Sequence, residues 1–130
     1  MRVGGRYVHK TKERYELRGT KFKSRYEYNY AVFCDYLGIA WRYEPTTFEF
    51  PVRRGIRSYR PDFYLPHDDS FVECKGYWDQ RSKVQQKRMR LHHPTVRILI
   101  INEPFFASVE RQRLCRVIPH WRCRHTTDGA

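Results

Sequence analysis

Two apolar runs flank a polar turn at residues 59–76, which have the sequence YRPDFYLPHDDSFVECKG. Aromatic and β-branched residues are frequent in both runs, and such residues favour β-strands. The segment between the runs, PHDD at 66–69, has the composition of a tight turn. The sequence therefore predicts an antiparallel hairpin with strands at 59–65 and 71–75, and Gly76 ends the second strand.

This hairpin would bring three charged side chains together. Because side chains alternate across a strand, Glu73 and Lys75 point to the same face. Val72 and Cys74 point to the opposite face, towards a core. Asp62 precedes Glu73 by a hairpin's length and therefore lies on the neighbouring strand. An exposed ion pair would explain a Glu-x-Lys triplet on its own, but the preceding Pro-Asp and the following glycine favour a functional patch.

Carboxylates placed in this way suit divalent-metal chemistry. Two carboxylates a few ångströms apart bind a hard cation through oxygen, and the main-chain carbonyl of Cys74 can add an oxygen ligand. Such an ion lowers the pKa of a bound water and stabilises negative charge on a phosphate. A neighbouring lysine, here Lys75, positions the water or neutralises developing charge. The patch therefore predicts metal-assisted attack on a phosphate ester.

The rest of the chain alternates between helix and strand. Ser24 is placed to cap a helix that runs to Leu37, and Gly38 is placed to end it. The apolar stripe of this helix comprises Tyr26, Tyr30, Phe33 and Leu37. The later segments are a basic helix at 79–92, an aliphatic strand at 96–101 buried on both faces, a short helix at 108–115 and an extended piece at 117–122. This order predicts an α/β fold with a mixed central β-sheet flanked by helices.

The chain is strongly basic, with 26 Lys and Arg against 14 Asp and Glu, a net charge of +12 and a pI near 9.9. Such a charge favours a polyanionic partner, most simply nucleic acid. Residues 1–21 are polar and basic without periodicity, so they are predicted to form a flexible arm before a single domain at 22–130. The candidate DNA-binding residues lie in the link before Asp62 and on the basic helix: Arg53, Arg54, Arg57, Arg60, Lys83, Lys87, Arg88 and Arg90.

A Pro-Asp pair, a spacer and then Glu-x-Lys form the signature of the PD-(D/E)XK nuclease superfamily. Within it the chain resembles the phage endonuclease I family, over roughly residues 24–101. The stretches that carry the resemblance are YRPDFYLP at 59–66, FVECKGYW at 71–78, His-Pro at 93–94, Ser24-x-x-Glu27, Gly38-Ile39 and Tyr43-Glu44. The resemblance implies a restriction-endonuclease-like core.

The resemblance also implies residue roles. Asp62 and Glu73 would be metal ligands together with the Cys74 main-chain carbonyl, and Lys75 would be the catalytic lysine. Glu27, from the first helix, would be a further catalytic acid that completes a second metal site. The alternative for Glu27 is a solvated carboxylate paired with Arg25. The metal would be Mg²⁺, with Mn²⁺ as a substitute.

Enzymes of the endonuclease I family resolve four-way, or Holliday, junctions, so the implied substrate is branched DNA. The family also implies a homodimer, in which the segment between residues 44 and 59 is exchanged between protomers. Three other functions stay open: a mismatch- or sequence-directed nuclease, a transposase-type nuclease, and a basic DNA-binding module without catalysis.

The cysteines and histidines give a weaker signal. Cys115, His120, Cys123 and His125 could bind zinc, but their spacing matches no common zinc module. Ordinary thiols and exposed histidines are the favoured interpretation. The sequence shows no secretory signal and no apolar run long enough to span a bilayer. We therefore expect reduced thiols and a cytoplasmic protein of a bacterial or phage-infected cell.

Overall fold

The computed structural model describes residues 15–123, so residues 1–14, most of the predicted arm, and residues 124–130 lie outside the described part. Three helices occur among the described residues: α1 (Arg25–Leu37), α2 (Gln80–His92) and α3 (Glu103–Arg111), with a 3-10 turn at Leu114–Arg116. The strands of the same part are β1 (Glu16–Leu17), β2 (Thr20–Lys21), β3 (Arg42–Tyr43), β4 (Phe48–Glu49), β5 (Ser58–Tyr59), β6 (Phe63–Leu65), β7 (Ser70–Lys75) and β8 (Arg97–Asn102). None of these helices is long and apolar enough to cross a membrane.

The central sheet has the strand order β3-β6-β7-β8. β6 and β7 pair antiparallel, with Phe63 opposite Val72, whereas β8 runs parallel to β7. The predicted hairpin and the mixed α/β fold are therefore confirmed. The first strand of the hairpin is shorter than predicted, because Pro61 has no N–H to give to a ladder. Tyr59 pairs instead with Phe48 in the separate β4–β5 sheet.

α1 begins and ends where the sequence predicts. The Ser24 side chain accepts a hydrogen bond from the Glu27 N–H, and Gly38 adopts the left-handed conformation with φ 75°. The predicted apolar stripe is only partly right, because Leu37 is 52% exposed. Asn29 is buried instead. Its side-chain amide donates to the Arg122 carbonyl and its amide oxygen accepts from the Arg122 N–H, so the C-terminal segment covers this side of the helix.

The expectation that the aliphatic run at 96–101 is buried on both faces is wrong. β8 is an edge strand of the central sheet, and Leu99 is 40% exposed. Ile98 and Ile100 on the same strand are half-buried and line a cavity with residues of α2. A run of aliphatic residues predicts a strand, but it does not distinguish a central strand from an edge strand.

The predictions for the C-terminal part are also corrected. α3 begins at Glu103, directly after β8, rather than at Ser108, because Pro104 is favoured in the first turn of a helix. The expected extended piece at 117–122 is a turn instead. The Trp121 N–H donates to the Ile118 carbonyl at 3.3 Å, and both side chains are buried in the core.

The described end of the predicted arm is part of the folded domain. β1 and β2 pair antiparallel as a short hairpin, with Glu16 opposite Lys21. Tyr15 and Leu17 pack against the core, and Phe22, which follows the hairpin, is buried in it. The domain therefore begins no later than residue 15, because these apolar side chains cover the aromatic core.

Aromatic rings form the centre of that core. Phe63, the first residue of β6, is fully buried. Its ring centroid lies 5.2 Å from that of Tyr30, 5.7 Å from that of Trp41, 5.5 Å from that of Tyr43 and 6.0 Å from that of Phe22. Asp62 directly precedes Phe63, so this packing also fixes the chain at the point where the charged residues meet.

Candidate active site

Asp62 lies immediately before β6, with only 6% of its surface exposed. Its Oδ2 accepts a hydrogen bond of 2.8 Å from the Cys74 N–H on β7. Its main-chain carbonyl accepts one of 2.8 Å from the Glu44 N–H, just after β3. Segments on both sides of β6 therefore hold the backbone and the carboxylate of Asp62 in place.

Glu73 lies on β7 and is also buried. The Tyr59 hydroxyl donates a hydrogen bond of 2.8 Å to Glu73 Oε1, and Lys75 Nζ lies 3.9 Å from Glu73 Oε2. The strand thus carries Glu73 and Lys75 side by side, as the alternation of side chains predicts. Gly76 follows Lys75. A Cβ at position 76 would collide with the ring of Tyr26, so this position requires glycine.

α1 brings Glu27 into the same region. Its Oε1 accepts hydrogen bonds from the Lys23 N–H at 2.9 Å and from the Tyr43 hydroxyl at 2.7 Å, and the residue is buried. The alternative of a solvated carboxylate paired with Arg25 is therefore wrong. Arg25 lies 3.1 Å from Glu110 instead.

The buried carboxylates destabilise one another's charge. Burial raises the pKa of Asp62 to about 9, and the negative charges of Glu73 and Glu27 add to the effect. Burial also raises the pKa of Glu73, although the Tyr59 hydrogen bond and the charge of Lys75 oppose it. Without a bound cation, the site therefore favours a proton on Asp62.

A divalent cation would relieve this repulsion. Among residues 15–123, no three His, Cys, Asp or Glu side chains form a group able to hold a metal ion by themselves. Mg²⁺ does not require such a group, since it is usually held by one or two carboxylates together with waters and substrate oxygens. Asp62 and Glu73 meet that smaller requirement. The ligand roles of Asp62, Glu73, Glu27 and the Cys74 carbonyl all stay predictions.

Two curated proteins match the chain. "Endonuclease I" of Escherichia phage T7 is 33% identical over 64 residues, 49% of this chain and 42% of that protein. "Endodeoxyribonuclease 1" of Enterobacteria phage T3 is 29% identical over 83 residues, 64% of this chain and 54% of that protein. These matches relate the chain to phage endonucleases.

The relation is partial. The chain spans about half the length of the curated relatives it matches, 42% of one and 54% of the other. No family model matches the chain, and no solved structure gives a significant match. The names of these relatives therefore support a nuclease relation, whereas the wider superfamily and the junction substrate rest on the sequence motifs.

Most of the candidate DNA-binding residues are exposed: Arg53, Arg54, Arg57, Arg60, Lys83, Lys87 and Arg90. Arg88 differs from them. It is half-buried, and its guanidinium donates to the main-chain carbonyl of Ile56, where it packs beside Gly55. Arg88 thereby ties the link before Asp62 to α2. Contacts between any of these residues and DNA stay predictions.

The Cys and His residues considered for zinc do not form a metal centre among the described residues. His125 lies outside them. All four cysteines are free thiols, and Cys123 forms a hydrogen bond with Cys115. Burial raises the pKa of Cys123 to about 11, and the Cys115 hydrogen bond adds to the shift, so this thiol stays protonated. His120 is exposed and lines a cavity beside Asp35.

Sequence reasoning missed three residues of the site: Tyr59, Tyr43 and Lys23. Tyr59 reaches Glu73 only because the β4–β5 pairing holds it there, and nothing in the sequence predicts that pairing. Tyr43 depends in the same way on the position of β3 beside β6. Lys23 precedes the N-cap of α1, and its side chain pairs with Glu44, which lies far from it in the sequence, so no local pattern predicts its place in the site.

Proposed function

We propose that this protein is a metal-dependent endodeoxyribonuclease that cleaves branched DNA, four-way junctions in particular. The observation that carries the proposal is the meeting of Asp62, Glu73 and Lys75 at one end of the hairpin, with both carboxylates buried. Burial of two like charges costs free energy and suggests a cation-binding role. The partial relatives, both named as phage endonucleases, support the same chemistry.

Each residue has a role in phosphodiester hydrolysis. Asp62 and Glu73 would hold Mg²⁺, or Mn²⁺ in its place, and the bound ion would activate water and neutralise phosphate charge. Lys75 neutralises negative charge that develops on the phosphate. Tyr59 orients the Glu73 carboxylate through its hydroxyl hydrogen bond. Glu27 supports the site from α1 and is the proposed ligand of a second metal ion.

The proposed substrate is inferred from the net charge of the chain and from its resemblance to the endonuclease I family. A net charge of +12 favours a DNA backbone, and exposed arginines lie in the link beside Asp62. The preference for junctions rests on the similarity of residues 24–101 to the endonuclease I family. Such a substrate would place the protein in the cytoplasm of a bacterial or phage-infected cell.

The substrate preference is tested by comparing two DNAs of the same sequence. A four-way junction and the linear duplexes that make up its arms are cleaved by purified protein in Mg²⁺. We expect the junction to be cut at least about tenfold faster, a difference of about 1.4 kcal/mol in transition-state stabilisation. Equal rates on both DNAs would instead favour a sequence-directed or transposase-type nuclease. Binding without cleavage of either DNA would favour a non-catalytic module.

We also propose that the protein acts as a homodimer. A junction presents two equivalent strands, and each described chain builds one set of Asp62, Glu73 and Lys75, so a two-fold dimer would supply two sites. In this structure Glu27 and Asp62 of a single chain are close enough for the charge of Glu27 to raise the pKa of Asp62. The segment between residues 44 and 59 contains Pro45 and Pro51, and the same contacts can form between two chains if this segment is exchanged.

Mixing two defective proteins tests the exchange. Glu27→Ala and Asp62→Ala proteins are unfolded, mixed and refolded together, and each is also refolded alone as a control. With exchange, one site of the heterodimer carries both defects and the other is intact, so nicking of one strand of a plasmid cruciform returns. No recovery would mean that one chain builds each site, as it does in this structure. A monomer by sedimentation at micromolar concentration would overturn the dimer itself.

A further inference from the structure

A polar cleft of about 300 Å³ lies directly beside the acidic residues. Lys23, Arg60 and Arg81 line it, together with Glu44 and Tyr59. Tyr59 lines the cleft and also contacts the acidic residues, because its hydroxyl donates a hydrogen bond to Glu73. The cleft is therefore continuous with the proposed catalytic site, and three cations face it against one carboxylate.

Two of the cations are positioned by the same acidic side chain. Lys23 forms an ion pair with Glu44, and Arg60 Nη1 lies 4.0 Å from Glu44 Oε1. Arg60 Nε also donates a hydrogen bond of 2.9 Å to the Thr47 hydroxyl. Both side chains are more than half exposed, at 65% for Lys23 and 57% for Arg60. One carboxylate uses only part of their donor capacity, so donors remain for a second anion.

The position of Glu44 links this cleft to Asp62. Glu44 has a φ of 49°, in the left-handed region that non-glycine residues seldom adopt. Its N–H donates to the Asp62 carbonyl at 2.8 Å. A backbone held in this conformation by its surroundings is frequent at functional sites. The hydrogen bond therefore fixes the distance between the proposed metal ligand and the paired cations.

Lys23 keeps its positive charge in this position. Burial lowers the pKa of its ammonium group, but the hydrogen bond and the charge of Glu44, with Glu27 and Asp62 behind it, outweigh burial and raise the pKa. The charges of Lys75 and Lys23 both act on the Glu73 carboxylate, so two cations lie close to the acidic residues.

We propose that this cleft binds the DNA phosphate next to the one that is cleaved, through Lys23, Arg60 and Arg81. The inference rests on the proposed function, since it places a neighbouring phosphate beside the reacting one. Charge-assisted hydrogen bonds from arginine and lysine are the usual means of holding a phosphate oxygen. Such contacts set the register of the strand, so that the scissile phosphate lies over Asp62 and Glu73.

Binding of a four-way junction in excess chelator tests the inference without any cleavage. Lys23→Gln and Arg81→Gln are compared with wild type over a range of salt concentrations. Each variant should bind about tenfold more weakly. Each should also flatten the slope of log K against log salt by about 0.9, the value for one lost phosphate contact. Lys23→Arg keeps the charge and should keep the slope. Arg111→Gln, at the exposed last residue of α3, removes the same charge elsewhere and should change neither quantity.

A neutral methylphosphonate, placed at one phosphate at a time around the cleavage position, locates the contact. At the phosphate next to the cut it should weaken binding by wild type and cause a smaller additional loss in Lys23→Gln, because one of its three partners is already missing. Additive losses at every position, or unchanged salt slopes in both glutamine variants, would overturn the inference. Wild-type protein that binds the junction but never cleaves it with Mg²⁺ would instead refute the proposed function, and the salt slopes would still report on the cleft.

Discussion

Replacing Asp62 with asparagine should abolish DNA cleavage and at the same time make the metal-free protein more stable. The variant loses one of the two proposed metal-binding carboxylates, and we expect the cleavage rate to fall by about 10³-fold or more. The asparagine side-chain oxygen can still accept the hydrogen bond from the Cys74 N–H. The fold is therefore preserved, and the variant no longer has a buried carboxyl group that must take up a proton when the chain folds.

The stability gain depends on pH. The pKa of Asp62 is raised from 3.8 to about 9 in the folded protein. Between these values the folded protein holds a proton that the unfolded chain releases, so its free energy of unfolding decreases as the pH rises. Asparagine has no such proton. The advantage of the variant in chelator should thus be absent at low pH and reach about 1–3 kcal/mol at pH 8.

Urea unfolding in chelator at several pH values measures this difference. Asp35→Asn is a control, and for this variant we expect the free energy of unfolding to change in the opposite direction. Burial raises the pKa of Asp35, but hydrogen bonds from Arg18 and Trp41 outweigh burial and lower it. This control should lose about 1 kcal/mol or less at neutral pH and keep full cleavage. An Asp62→Asn protein that is less stable than wild type at pH 8, or that cleaves at the wild-type rate, would contradict the site assignment.

Replacing Phe63 with alanine should cost about 3–5 kcal/mol of unfolding free energy, the range for a buried aromatic residue. Phe63 is fully buried among the rings of Phe22, Tyr30, Trp41 and Tyr43, so little of the cavity can be filled by its neighbours. The loss is a large share of the stability of a domain of this size.

Leu99→Ala provides the matched control for this prediction. Leu99 lies on the edge strand β8 of the same sheet and is 40% exposed, so its truncation should cost below about 1.5 kcal/mol. Both values come from urea unfolding at one pH. Similar losses in the two variants would mean that the aromatic cluster is not the centre of the core.

Local signals in the sequence were sufficient for the elements that carry the proposed chemistry. Ser24 and Gly38 mark the ends of α1 because capping depends on the cap residue itself. Alternation along 71–75 places Glu73 beside Lys75 because the pleat of a strand requires it. Asp62 could be placed beside them because a hairpin has a limited range of lengths.

Features that depend on distant residues could not be predicted in the same way. The exposure of Leu99 follows from the place of β8 at the edge of the sheet, which its own composition does not encode. The folded hairpin at 15–21 depends on a core that forms elsewhere in the chain. Likewise, Lys23 and Tyr59 join the site through contacts with Glu44 and Glu73, and a strand or helix pattern does not predict such contacts.

The central claim is that the site of Asp62, Glu73 and Lys75 hydrolyses DNA with the help of a divalent cation. Single-turnover cleavage of an end-labelled four-way junction tests it most directly, with wild type and Glu73→Gln assayed in Mg²⁺, in Ca²⁺ and in excess chelator. The account predicts cleavage by wild type in Mg²⁺, binding without cleavage in Ca²⁺, no cleavage in chelator, and bound but uncut junction with Glu73→Gln. Full cleavage in excess chelator, or a wild-type rate from Glu73→Gln in Mg²⁺, would contradict it.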